Sequence, residues 1–336
     1  MKIHIYCNPV AGGWLPEHIE SGLGGSEESL VLLARSLGGL GARVTVYHNR
    51  PPGTPAGSIP DGGGCYLEHG DFEPGARRDA LITWKERRPW QVGARGRVNL
   101  HLSAEVEAAW HPATLRGLDR FLCLTPYHRE RLPWLPDSLA RVVPLGIDTA
   151  QLERHRHARG AGALYCSSPD RGLERLLLDW PAIRRAHPGL ALRVTYGWAL
   201  FDACAGDRPE ALRFKARLRD LLRQDGVEPL GRLPRAAMAE EYWRARYWLL
   251  PLERPDAELF CLNAIKARHC GAAPVVRPAG ALAHSAPEYL DYGDFVRTPE
   301  PPTRRSSASP TPVLDWDAVV KSHWLPLLQP QRHEVA

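Results

Sequence analysis

The sequence predicts an α/β protein made of two parallel-sheet units. Short runs of β-branched and apolar residues alternate with helical periods along the chain, the pattern that parallel α/β layers leave in a sequence. At 336 residues the chain is long enough for two domains of about 150 residues each. The patterning lapses once near the middle, where PLGID (144–148) gives way to the polar AQLERHRHARGAG (150–162). That lapse places a boundary between residues 1–148 and 149–312.

In the first unit the strand candidates are IHIYC (3–7), ARVTVYH (42–48), DALIT (79–83), RVNLHLS (97–103), RFLCLT (120–125) and ARVVPL (140–145). Between the first two, Leu30, Leu33, Ala34 and Leu37 recur at i, i+3, i+4 and i+7, which gives one buried helix face. The second unit offers GALYCSS (162–168), LRVTYG (192–197), YWLLPL (247–252) and APVVR (273–277) as its last strand. NRPPGTPAGSIPDGGG (49–64) reads as a loop, and TPEPPTRRSSASPTP (298–312) as an extended or disordered connection. A final helix (313–330) carries a stripe of Trp316, Val320, Trp324 and Leu327.

A hydrophobic content of 44% with 24% charged residues is ordinary for a soluble globular enzyme. No apolar run approaches the roughly 20 residues that span a bilayer. MKIHIYCNPV enters a strand without a signal-peptide core, and the seven cysteines form no CxxC pair, so reduced thiols in a cytoplasm are expected. The net charge of +5 is mild, and only five of the 43 basic residues are Lys, a bias that fits genomic base composition better than nucleic-acid binding. Five of the eleven Trp fall within the first 135 residues (14, 84, 90, 110, 134), as core or as a stacking surface for a sugar or base.

Five segments carry the chemistry. GLGGSEESL (22–30) opens a helix after the first strand, with Gly24 and Gly25 permitting close backbone approach and Ser26 suited to an N-cap. It is not a dinucleotide fingerprint, because the third Gly of GxGxxG falls at Glu27. In CSSPDRGLERLL (166–177), Ser168 is the expected N-cap and Arg171 sits in the first turn, where a cation opposes the helix dipole. Either a bound anion or a nearby carboxylate, Asp170 or Glu174, accounts for it. His101 ends a strand, on the rim where open α/β sheets bind ligands. On the same rim, TWKERRPW (83–90) sets Lys85, Arg87 and Arg88 between Trp84 and Trp90, either a solvated loop or a seat for a phosphate-bearing or nucleic-acid partner. ELFCLNAIKARHCGAAPVV (258–276) begins with Glu258, opens a short helix that Gly271 closes, and runs on into a Pro-started strand. Asp315-Trp-Asp317 has the spacing of a metal-binding DxD, but Trp316 belongs to the apolar stripe, so Asp315 reads as a helix cap and no metal is assigned.

The 258–276 segment resembles the donor site of family-4 retaining glycosyltransferases of the GT-B fold. CSSPDRG resembles their cation-Gly element and GLGG their GGxE loop; GRLP (231–234) and PAGALAH (278–284) follow in the family order. The likeness spans most of residues 1–297. It implies two Rossmann-like domains facing across a cleft, with a C-terminal helix that crosses back to the first domain or caps the second. It also implies a nucleoside-diphosphate sugar as co-substrate, no other cofactor, and transfer to a sugar, a small molecule or a polyanion bound by the first domain. Glu258 and His101 would orient the donor sugar. Arg171, the backbone of Leu259, Phe260, Cys261 and Leu262, Ser168 and the Gly24–Gly25 loop would hold its diphosphate. Three positions depart from the pattern: Lys266 replaces the second Glu, which holds the ribose, Cys166 replaces a second phosphate cation, and Leu102 follows His101 where the family usually has Asp or Glu. Lys266 leaves open an altered donor, a ribose held elsewhere, or lost activity. A non-catalytic nucleotide-sugar-binding protein is therefore the alternative to an enzyme, and a phosphorylase the third reading.

Overall fold

The computed structural model describes residues 1–106, 108–254, 258–299, 305–306 and 313–329, and most of the 298–312 connection lies outside these. The chain divides into two compact units. The first comprises Met1–Ile19, Leu23–Gly146 and Leu314–Ala336; the second comprises Glu20–Gly22 and Ile147–Val313.

The first unit holds β1 (Lys2–Cys7), β2 (Arg43–His48), β3 (Ile59–Asp61), β4 (Gly64–Glu68), β5 (Ala80–Trp84), β6 (Val98–Leu102), β7 (Arg120–Cys123) and β8 (Ala140–Val142) in the order β3-β4-β2-β1-β5-β6-β7-β8. All neighbours are parallel except β3 and β4. That hairpin corrects the reading of 49–64 as loop alone: β3 and β4 form where Gly62 and Gly63 take positive φ and let the chain reverse. Leu30, Leu33, Ala34 and Leu37 are all buried on the Gly25–Gly39 helix, as their spacing predicts.

The last helix belongs to the first unit, where Asp317 accepts a hydrogen bond from Ser36 at 2.5 Å. Trp316, Val320 and Trp324 are buried on it, but the fourth stripe position is Leu328 rather than Leu327. A π-helical turn over Val320–Trp324 inserts the extra residue that shifts the stripe.

The second unit holds β9 (Ala163–Tyr165), β10 (Leu192–Thr195), β11 (Val227–Gly231), β12 (Tyr247–Leu250), β13 (Ala273–Val276), β14 (Glu288–Asp291) and β15 (Arg305–Ser306) in the order β11-β10-β9-β12-β13-β14-β15. Only β15 is antiparallel to its neighbour. Strand β13 is therefore not the last, because β14 follows PAGALAH. The strand order reverses between β9 and β12, the kind of switch point where crossovers leave on opposite faces and open a crevice at the carboxyl ends. Among the described residues no helix is long and apolar enough to cross a membrane, and all seven cysteines are free thiols.

Candidate functional site

The site is built at the switch point of the second sheet. After β9 the chain passes the buried Cys166 and Ser167 into a turn in which the Ser168 carbonyl accepts the Arg171 N–H at 2.9 Å. Gly172 ends the turn at φ 97, and a Cβ there would stand 2.6 Å from the carbonyl oxygen of Pro251, the residue after β12. Only glycine allows both the backbone conformation and that approach. The contact ties the β9 loop to the β12 loop and brings Arg171 Nη1 within 3.5 Å of Glu258 Oε2.

This geometry corrects the local reading of CSSPDRG. The helix is Leu173–Ala186 with Gly172 as its cap, because the left-handed Gly172 prevents an earlier start. Ser168 is thus not the N-cap; its hydroxyl bonds Asp170 instead. Arg171 stands just before the N-cap and not in the first turn. Its carboxylate partner is Glu258, neither Asp170 nor Glu174; Glu174 pairs with Arg217.

Arg171 and Glu258 are an uneasy pair. At 3.5 Å the ion pair is longer than an ordinary hydrogen bond, and the buried Nη1 makes no hydrogen bond. Burial pushes the Glu258 carboxyl up to about 7, against the pull of Arg171 and of the Phe260 N–H.

The following loop is less open to an anion than its sequence suggests. Leu259, Phe260 and Cys261 turn their side chains inward, the Phe260 amide serves the Glu258 carboxylate, and the Cys261 amide donates to the buried Ser285 hydroxyl at 3.2 Å. The Leu262–His269 helix then begins with Cys261 as its cap residue. Two of the four amides of 259–262, those of Phe260 and Cys261, are therefore already engaged within the chain.

Cys166, at the position of the absent cation, lies in a closed polar cluster. Its thiol accepts from Trp248 Nε1 at 3.3 Å, and Asn263 bonds its carbonyl at 3.0 Å and takes the Tyr242 hydroxyl at 2.7 Å. Burial pushes the thiol up to about 11, and the charge of Lys266 acts on it in the opposite sense. Lys266 sits in the last turn of its helix with Arg268 and His269. Asn263 was not singled out in sequence, where it looks like any polar helix residue. Tyr196, after β10, was also missed, and only its φ of 98 marks it.

The first unit gathers none of its singled-out residues into a comparable constellation. The helix after GLGG begins at Gly25 with Gly24 as cap residue, so Ser26 does not cap it; the Ser26 hydroxyl instead accepts from Trp84 Nε1 at 2.9 Å. A Cβ at Gly24 would collide with the Glu27 carboxylate, which therefore stands where an anion would approach. His101 is fully buried, 2.7 Å from the Thr83 hydroxyl and packed on Trp110 and Phe121, so it is a core residue and does not reach the rim. The interleaved aromatics of 83–90 are buried as well, with Trp90 Nε1 donating to Thr83 at 2.9 Å. Lys85 lies 3.6 Å from Glu105, Arg88 lies 3.5 Å from Glu86, and Arg87 is exposed. Asp315 caps its helix by accepting the Asp317 N–H at 3.0 Å. Among the described residues no three His, Cys, Asp or Glu side chains converge to hold a metal ion.

No family model matches the chain, and none of the curated proteins does. Solved structures do match. The chain is similar to a sucrose-phosphate synthase from Thermosynechococcus elongatus at 16% identity and TM-score 0.61, covering 98% of this chain and 90% of that one. It is similar to the trehalose-6-phosphate synthase OtsA at 11% identity and TM-score 0.58, covering 84% and 86%. It is also similar to Anabaena HepE, solved with UDP and glucose, at 15% identity and TM-score 0.53, covering 84% and 82%. At such identities the likeness is one of fold: the chain has the GT-B glycosyltransferase fold, with two Rossmann-like parallel-sheet units.

Proposed function

We propose that this chain transfers a sugar from a nucleoside-diphosphate sugar to a sugar or small-molecule acceptor, with retention of anomeric configuration and without a metal. The observation that carries the reading is the Arg171–Glu258 pair: a buried guanidinium N–H without a hydrogen bond beside a desolvated carboxyl, at the switch point of a parallel sheet. Glu258 is an ion-pair partner of Nη1 at 3.5 Å but not a well-formed hydrogen-bond acceptor, and an anionic ligand would complete the guanidinium. The fold supports the same reading, since HepE of that fold was solved with UDP and glucose.

In the reaction, Arg171 would offset the charge that develops on the leaving diphosphate. Glu258 would accept hydrogen bonds from hydroxyls of the donor sugar and orient its anomeric carbon. The acceptor hydroxyl attacks that carbon, the bond to the diphosphate breaks, and the acceptor proton leaves with the diphosphate. No enzyme nucleophile is needed.

The test is calorimetry of nucleoside diphosphates and their sugars on wild type and Arg171→Ala, together with transfer assays. Wild type should bind, and the variant should lose about 1.5–3 kcal/mol of affinity, the worth of a charge-assisted hydrogen bond. Unchanged affinity in the variant removes Arg171 from the site. Binding without hydrolysis or transfer would favour the non-catalytic reading, to which Lys266 and Cys166 also point.

A further inference from the structure

We propose that the cavity beside the Arg171 turn is the base pocket of the donor, and that its polar edge selects a guanine base. This rests on the proposed nucleotide-sugar reading and adds to it the identity of the nucleotide. The cavity holds about 530 Å³, within the usual range of small-molecule sites. Ser168 and Asp170 form one wall. Tyr196 and the helices Ala199–Ala205 and Pro209–Leu221, which present Phe201 and Phe214, form the rest.

Its place in the sheet gives the occupant. Glu258 follows β12, Arg171 follows β9 and Tyr196 follows β10, and these strands are neighbours in that order, with about 4.8 Å between each. A nucleoside-diphosphate sugar laid along this carboxyl edge, its sugar at Glu258 and its diphosphate at Arg171, carries its base past Ser168 and Asp170 into the cavity. The walls suit a flat ring. Phe201 and Phe214 form one aromatic pair with centroids 5.9 Å apart, on whose outer face a base would stack. Tyr196, held in the left-handed region at φ 98, bonds Ser168 through its hydroxyl. Backbone held in that region by a non-glycine residue is costly and is characteristic of ligand clamps.

The polar edge gives the base. Asp170, which takes the Ser168 hydroxyl, and Glu210 are acceptors, and Arg208 is a donor. Guanine presents two adjacent N–H donors, N1–H and the N2 amine, to a carboxylate, and its O6 to a guanidinium. Uracil presents a single N–H flanked by two carbonyl oxygens, which a carboxylate repels. Adenine offers the N6 amine alone.

The experiment is calorimetry of GDP, ADP, UDP and inorganic pyrophosphate on the full chain and on three variants. In wild type, GDP should bind at least about tenfold more tightly than UDP, the worth of one well-placed hydrogen bond to a charged group. The double variant Asp170→Asn/Glu210→Gln should bring that ratio towards one. Cys204→Trp, which fills the cavity from its exposed rim, and Phe214→Ala should bring nucleotide affinity down to that of pyrophosphate. Pyrophosphate binding should be unchanged in Cys204→Trp and Phe214→Ala and not weakened in the double variant, which loses a carboxylate beside Arg171; this also shows that the variants are folded. UDP binding as tightly as GDP in wild type overturns the choice of base. Nucleotide binding untouched by both Cys204→Trp and Phe214→Ala overturns the pocket while leaving the Arg171 site standing. If neither pyrophosphate nor any nucleotide binds wild type, the donor reading falls and this assignment with it.

Discussion

The residues singled out near the carboxyl edges of the two sheets are partnered differently. In the first unit, Thr83, Trp84, Trp90 and His101 point into the core and satisfy one another: Trp90 to Thr83, Thr83 to His101, Trp84 to Ser26. Such a network stabilises a fold because every member has a partner. In the second unit, Arg171 and Glu258 are brought together by the Gly172–Pro251 contact, yet Nη1 stays without a hydrogen bond and the carboxyl is raised by burial. Burying a polar group without full compensation costs stability, so a fold that keeps such a pair has a use for it. A missing hydrogen bond does not by itself separate site from scaffold, since His48, Tyr66 and Trp14 of the first unit also bury side-chain atoms without one. What sets Arg171 and Glu258 apart is that they are a charged pair at a switch point.

The largest effect on donor binding from breaking this contrast is expected at Glu258. Its carboxyl holds a proton more tightly in the folded chain, at about 7 against an ordinary 4.5. The folded state therefore carries more protons than the unfolded state between those values, and stability falls as pH rises through that window. Glu258→Gln has no proton to lose. Urea unfolding at pH 5 and pH 8 should show wild type losing about 2 kcal/mol relative to the variant on going to the higher pH. Donor affinity in the variant should fall roughly 10- to 100-fold, the worth of a hydrogen bond to a charged group. A variant that gains stability and loses binding marks a functional residue; one that loses both, with no difference in pH slope, would make Glu258 part of the scaffold.

His101→Ala tests the other side. Truncating a fully buried ring packed on Trp110 and Phe121 should destabilise the chain by about 2–4 kcal/mol, and donor affinity at a temperature where the variant is folded should not change. A drop in donor affinity with stability intact would return His101 to the site and erase the contrast.

What the sequence disclosed follows the same division. Ten strands were legible because buried parallel strands are continuous apolar runs. Of the missed strands, Val227–Gly231 with its Pro and Ile59–Asp61 in a Gly- and Pro-rich stretch lie at sheet edges where nothing demands an apolar pattern. Gly64–Glu68 and Glu288–Asp291 lie one strand in and are short and broken by polar residues. Arg171 and Glu258 were legible through the resemblance, although their pairing across 87 positions of sequence depends on a glycine contact that no local pattern encodes. His101 and the Trp84–Trp90 loop were misread because sequence places residues on a strand without saying which side of the sheet each faces. Phe201, Phe214 and Tyr196 carried no motif.

A smaller effect is expected at Lys266. It stands in a last helical turn, where a cation suits the dipole, so Lys266→Glu should cost about 0.3–1 kcal/mol of stability. If the donor differs from the family's and Lys266 helps to hold it, the same change lowers kcat/KM for the preferred donor. If the site has merely decayed, a restored acceptor for the ribose hydroxyls raises it. We expect the fall, because Arg171, Gly172 and Glu258 keep the phosphate-facing end of the site. A gain across a panel of donors would show decay instead.

The smallest effect is expected from Arg87, and its smallness is informative. Of the three cations in the 83–90 loop, Lys85 pairs with Glu105 and Arg88 with Glu86, while Arg87 is exposed. A loop that bound a polyanion would need stacking faces or converging cations, and the two tryptophans that would provide the faces are 2% and 4% exposed. Arg87→Ala should therefore leave acceptor KM within about twofold and its dependence on salt unchanged, since no phosphate contact is lost. Assays of transfer at several salt concentrations, on wild type and variant, decide it. A salt slope shallower by about one unit in the variant would mean that Arg87 neutralises an acceptor phosphate. In that case the first unit's edge would be a binding surface although Thr83, Trp84, Trp90 and His101 behind it are paired, and the contrast between the two edges would fall.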